Sequence, residues 1–227
     1  MKLWETRSKA LHLLEGEFRE KAKLMEKVFS IIDECIDLFE RKAAEDGFHR
    51  ICGLTLIKAR NLSLATYGLI LDGLGQEAGA LIRPFIEYHE LLIYFRLDPL
   101  RVNEAIDNKL PTAGKRAQLI KGEFQEFRSH LNEHASHSAY SYYSLNHLLD
   151  QPNMKFRKMQ SMLPKVLDRN LGDLFVMVVL MVIEAINCLQ TQELGYAENQ
   201  AEKIEEIKNE GSFVFKLHER ISEGNSA

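Results

Sequence analysis

Between Leu11 and Phe39 the apolar side chains recur in alternating steps of three and four. The line runs Leu11, Leu14, Phe18, Lys21, Met25, Val28, Ile32, Cys35 and Phe39, and only Lys21 interrupts it. A period of 3.5 residues is the seam of a helix lying nearly parallel to its neighbours. It predicts one long N-terminal helix over residues 1–46. Lys21 can lay its stem along the seam and hold its ammonium in water. The seam serves equally a helix inside a bundle and a coiled coil between two chains.

A second helix is predicted from about His49 to Asp72, closed by Gly73, whose positive φ suits a helix end. A third runs to about Leu97, with Ala78, Leu81, Phe85, Tyr88, Leu92 and Phe95 in step. Pro84 lies inside it and predicts a kink, because proline lacks an N–H and clashes with the carbonyl of Ala80. Asp98-Pro99 reads as a cap and first turn for a short helix that Pro111 ends. Residues 112–133 read as helical. His134 to Ser144 is rich in hydroxyls and aromatics and reads as a loop with helical turns. Residues 153–169 form a basic helix or an ordered excursion, followed by a buried helix at about 172–193. The acidic tail is helical from Glu198 to about Asn209. With no strand alternation, the fold class is all-α, an antiparallel helical bundle. The expected organisation is a single domain over 1–227, with a long N-terminal helix (1–46), a core bundle (47–195) and an acidic helical tail (196–227).

Composition adds limits. The chain has 227 residues, 45% of them apolar and 27% charged, which is ordinary for a globular protein. Its length can bury roughly seven-tenths of the extended surface, so no metal or disulfide staple is needed. The net charge is −4, unevenly spread. Residues 101–170 carry 11 basic and 7 acidic side chains, and residues 171–227 carry 4 and 10. The middle segment also holds four of the eight histidines, so it could face an anion. A chance imbalance across solvated faces is the simpler account. Cys35, Cys52 and Cys188 are odd in number and form no CxxC, which points to reduced thiols and a cytoplasmic protein. The N-terminus has no apolar signal core. The most apolar run, Leu174 to Ile183, falls short of the roughly 20 residues of a membrane span, so no membrane is expected as a partner.

Three constellations could carry chemistry. In His130-x3-His134-x2-His137 the first two histidines lie one helical turn apart, as zinc ligands can, with Glu126 and Glu133 nearby. The second Glu-x-x-His of a di-metal bundle is missing, and ordinary partnered histidines are the commoner outcome. In Arg128-Ser129-His130-Leu131-Asn132-Glu133-His134 a permanent guanidinium sits near an imidazole. These are the minimum parts for metal-free RNA cleavage, with a base for the 2′-hydroxyl and a charge for the phosphate. On a straight helix Arg128 and His134 point about 120° apart. A helix break or a dimer interface would have to bring them together. Third, Arg83 and Glu87 stand four apart and can pair. Glu90 and Tyr94 continue the same polar side, and exposure is expected there. Cys35 and Cys188 lie on apolar faces, where inert packing is the default. Gly73-x-Gly75-x3-Gly79 follows a helix rather than a strand, so it is no dinucleotide fingerprint.

The order Arg60-x4-Ala65-x3-Leu69, a glycine turn, Glu77-Ala-x2-Leu81-x-Arg83-x3-Glu87, an aromatic helix and then Leu131-Asn-Glu-His134-Ala-Ser-His137-Ser138 resembles a group of bacterial helical proteins loosely related to the HEPN superfamily. The resemblance covers about half of the chain. It implies an all-α bundle and a homodimer. Many HEPN nucleases use Arg-x4-6-His in metal-independent RNA cleavage, and Arg128 and His134 match that spacing, with Ser129 as the polar follower. It also implies landmark roles for Arg83, Glu87 and His137. Other relatives are non-catalytic interaction or nucleotide-binding modules. The first expectation is therefore a metal-independent endoribonuclease of defence or toxin type that takes single-stranded RNA. Arg128 and His134 would be catalytic and His130 and His137 nearby, with Tyr140, Tyr142 and Tyr143 available to stack bases. The alternatives are a non-catalytic module that binds a protein partner and a metal-dependent hydrolase built on His130, His134 and His137. The ribonuclease needs no cofactor.

Overall fold

A computed structural model describes residues 4–124, 149–156, 163–193 and 195–216. Among these residues the chain is an all-α bundle of eight α-helices with one minute β-ladder. The helices are α1 (Glu5–Glu15), α2 (Arg19–Ala43), α3 (Gly47–Leu71), α4 (Gly75–Leu97), α5 (Val102–Ile106), α6 (Ala113–Leu119), α7 (Pro164–Gln192) and α8 (Glu198–Val214).

The N-terminal seam is real but divided. α1 stops at Gly16, whose φ and ψ of −108° and −104° are not helical, and α2 begins after Phe18. The Phe18 N–H reaches back to the Leu13 carbonyl at 2.8 Å, turning the chain so that Phe18 enters the core. From Leu14 onward every seam position but Lys21 is buried, whereas Leu11 is exposed. The Lys21 side chain is only partly exposed. It pairs with Asp168 of α7, and its ammonium lies 4.6 Å from the Phe18 ring centroid.

α3 begins where Asp46 caps it, its carboxylate accepting the N–H groups of Phe48 and His49 at 3.1 and 3.2 Å. It ends in the predicted turn, Gly73 at φ 76°. α4 is assigned as one helix through Pro84. Asp98 accepts the Leu100 N–H at 3.2 Å, and a 3₁₀ turn at Pro99–Arg101 leads into α5. α5 stops at Ile106, ahead of Pro111, because Asn108 turns left-handed at φ 55°. α6 likewise ends before Lys121, at φ 52°, so a helix does not run unbroken from 112 to 133.

α7 is the axis of the bundle. It starts at Pro164, inside the segment read as a basic helix or excursion, and packs against α2, α3, α4 and α8. At 29 residues it is long and apolar enough by composition to cross a bilayer, a longer element than its apolar run suggests. In this fold most of that surface faces protein. α8 is an integral wall: Ile204, Ile207 and Phe215 are buried, and Phe215 stacks on Phe175 of α7 with centroids 4.8 Å apart. Glu34 of α2 holds it through Gln200 at 3.0 Å and Lys203 at 2.8 Å. The ladder pairs β1 (Leu149–Asp150) antiparallel with β2 (Lys155–Phe156). Two-residue strands are too short to show alternation, which is why the sequence pattern misses them.

Candidate functional site

The residues singled out from sequence divide between two places. Arg128, His130, His134, His137 and Tyr140 lie outside the described residues. Arg83 and Glu87 lie on α4, Nε to Oε1 at 3.5 Å, with Arg83 half-exposed as expected. Such a pair contributes only about 0.3–0.5 kcal/mol.

Further along α4 the expectation of exposure fails. Glu90 and Tyr94 are 1% and 2% exposed. The reason is tertiary: α5, α6 and the turn after α6 fold over the polar side of α4. The Tyr94 hydroxyl donates to Glu104 Oε2 at 2.8 Å, and the Arg101 guanidinium lies over its ring at 4.4 Å. Burial, then the Glu104 carboxylate, pushes the Tyr94 phenol up from its ordinary value. Gly122 approaches Glu90 so closely that a Cβ there would sit 2.7 Å from Oε1. Arg116 of α6 is also buried, its Nη1 donating to the Pro111 carbonyl at 2.5 Å.

His89 completes this group and was not singled out by its spacing. It is 8% exposed, meets the Phe124 ring edge at 5.5 Å, and hydrogen-bonds the Leu180 backbone of α7. Nδ1 is buried without a partner. Burial pushes the imidazole down to about 4, overriding the Leu180 hydrogen bond, and nearby Arg96 acts in the same downward sense. This ring is neutral at pH 7, so it can donate or accept one hydrogen bond there but carries no charge.

A second polar contact ties α4 to α7. Arg96 Nε donates to Glu184 Oε1 at 2.5 Å, and Asn187 Nδ2 donates to Glu184 Oε2 at 3.3 Å. The hydrogen bond to Glu184 holds the guanidinium above its usual range. One turn on, the Cys188 thiol donates to the Leu92 carbonyl at 3.4 Å and touches Cys52. All three cysteines are buried and reduced, and burial raises the Cys35 thiol to about 12. Cys35 and Cys188 are packing groups, as their apolar faces predict. Among the described residues no group of three or more histidines, cysteines or carboxylates is placed to hold a metal.

The opposite kind of anomaly lies on α3. Leu54, Ile57 and Leu64 are 50%, 37% and 41% exposed, with Asn61 and Ala65 exposed among them. Beside Leu54 and Ile57 a cavity of about 220 Å³ opens between α2 and α3, floored by Ile36 and Phe39 and rimmed by Glu40 and Arg50. Sequence reading passes over this face because α3 is apolar on most sides, and the pattern does not say which side the other described helices leave exposed. No protein-family profile, curated protein or solved structure matches this chain.

Proposed function

We propose that this chain is a helical interaction module whose working surface is the exposed face of α3. The observation that carries the reading is that three large aliphatic side chains, Leu54, Ile57 and Leu64, stand exposed on one side of a central helix. Scattered exposed leucines are normal on protein surfaces. Aligned ones on a helix whose other sides are packed mark a contact surface. The reading expects Ile57→Glu and Leu64→Glu to leave the helical circular dichroism unchanged and the folding free energy within about 0.5 kcal/mol, as surface substitutions do. Cooperative unfolding weakened by several times that amount would place these side chains in the service of the fold and sink the reading.

A second reading is kept on the buried ionisable group of His89, Glu90 and Arg116. It lies on the helices that lead into the segment carrying Arg128 and His134. Buried charge is costly, and proteins often retain it where chemistry or recognition needs it. This reading is the metal-independent ribonuclease, Arg128 holding phosphate and His134 moving the proton. End-labelled single-stranded RNA in EDTA is the test. Cleavage by the wild-type chain that is lost in His134→Ala supports the nuclease. Equal cleavage by both, or none by either, discards it.

A further inference from the structure

α2 and α3 are joined only by Ala44, Glu45 and Asp46, so they run as a tight hairpin. In the wedge near that turn lies the cavity of about 220 Å³, between Ile36 and Phe39 of α2 and His49, Gly53, Leu54 and Ile57 of α3. Glu40 and Arg50 stand at its rim, and within it the lining is apolar but for His49. That histidine is 2% exposed. Its Nδ1 is held by Asp46, the residue that caps α3. Its Nε2 is buried and, among the described residues, has no hydrogen-bond partner. Buried polar atoms are normally paired, and one left unpaired costs stability that a ligand can restore.

The ring's protonation sets what it can take. A carboxylate only accepts hydrogen bonds, so the Asp46 contact places a proton on Nδ1. In that tautomer Nε2 offers a lone pair, and the complementary group is an O–H donor. Size narrows the class. An apolar cavity of about 150 Å³ takes up benzene, so this one has room for one ring with a small substituent. It lies below the roughly 300 Å³ at which pockets for drug-sized ligands begin. A carboxylate is the wrong partner, because it would set an anion against a lone pair in an apolar space.

From this placement we propose that the cavity is a binding site for a small phenol-like molecule, an apolar ring whose hydroxyl donates to Nε2 of His49. The site goes beyond the interaction-module reading and needs no protein partner. Asp46 is a positioning residue here: it fixes the tautomer and leaves the acceptor facing the ligand.

Phenol, toluene and benzoate are the probes, titrated into the full chain near neutral pH and followed by NMR. Amide signals locate the bound molecule, and long-range proton–nitrogen spectra read the two ring nitrogens of His49. A ligand of so few atoms binds weakly, so phenol is expected to saturate in the millimolar range. It should shift the Gly53 and Leu54 amides and move the Nε2 signal as the lone pair is engaged. Toluene, with a methyl in place of the hydroxyl, should shift the same amides and leave Nε2 where it was. His49→Phe keeps an aromatic ring and removes the acceptor. It should weaken phenol about tenfold, the cost of an unmet buried hydroxyl, and leave toluene within about twofold. Absence of any amide shift with phenol overturns the site. Phenol that binds without moving Nε2, or binds His49→Phe as well as wild type, overturns the hydrogen bond and with it the ligand class. Benzoate binding more tightly than phenol does the same. The wild-type Nε2 signal decides by itself where His49→Phe does not fold.

Discussion

His89 offers a perturbation whose sign and size both follow from its surroundings. In the folded chain its imidazole titrates near 4, because its burial among α4, α7 and Phe124 penalises the charged form. The unfolded chain takes up the same proton near pH 6.5. A base whose folded value is depressed stabilises the fold above its unfolded value, and that stabilisation is lost as pH falls from 6.5 through 4. Integrating the linkage relation between these values gives a loss of about 0.2 kcal/mol at pH 7, about 2 kcal/mol at pH 5 and about 3 kcal/mol at pH 4. Urea unfolding of wild type and His89→Gln at pH 7, 6 and 5, at one protein concentration, isolates this contribution. Glutamine keeps an N–H to offer the Leu180 carbonyl and has no proton to gain in this range. The variant should lose about 2 kcal/mol less than wild type between pH 7 and 5. Parallel pH profiles for the two proteins, or an NMR titration of His89 near 6.5, would refute the reasoning.

Two further expectations concern packing. At Gly211 in α8 the helix propensity of alanine favours substitution by about 1 kcal/mol. A Cβ there would, however, sit 2.3 Å from Cε1 and Cζ of the Phe175 ring, which is stacked on Phe215. Overpacking costs about 1–3 kcal/mol and a displaced aromatic pair about 0.5–1.5 kcal/mol more, so Gly211→Ala should lower the melting temperature. A raised one would mean that α8 sits further from α7 than described. At the α4–α7 contact, Arg96→Leu leaves Glu184 buried without its cation and should cost about 3 kcal/mol in urea, the low end for a buried pair because Arg96 itself is partly exposed. Adding Glu184→Leu should recover most of that loss, because the penalty belongs to the unpaired charge, and a double variant as unstable as the single one contradicts that account.

Local pattern and composition determined the helical character of this chain. Alternating steps of three and four identify the α2 seam, Asp98-Pro99 marks a turn, and Gly73 marks the α3–α4 hairpin, because these signals act within one or two turns of backbone. The inert state of Cys35 and Cys188 was equally readable from their apolar neighbours. What sequence could not supply is which neighbour covers which side. The seam pattern sends the Lys21 ammonium to water, whereas the fold pairs it with Asp168, which lies far along the chain. Glu90 and Tyr94 share a polar side with the exposed Arg83, yet they are buried because α5 and α6 fold back over that part of α4. His89 gains its depressed proton affinity, and Leu54, Ile57 and Leu64 their exposure among the described residues, from the same cause. Periodicity repeats along a helix, but enclosure is fixed by the arrangement of the other helices around it, and burial and proton affinity follow from that enclosure.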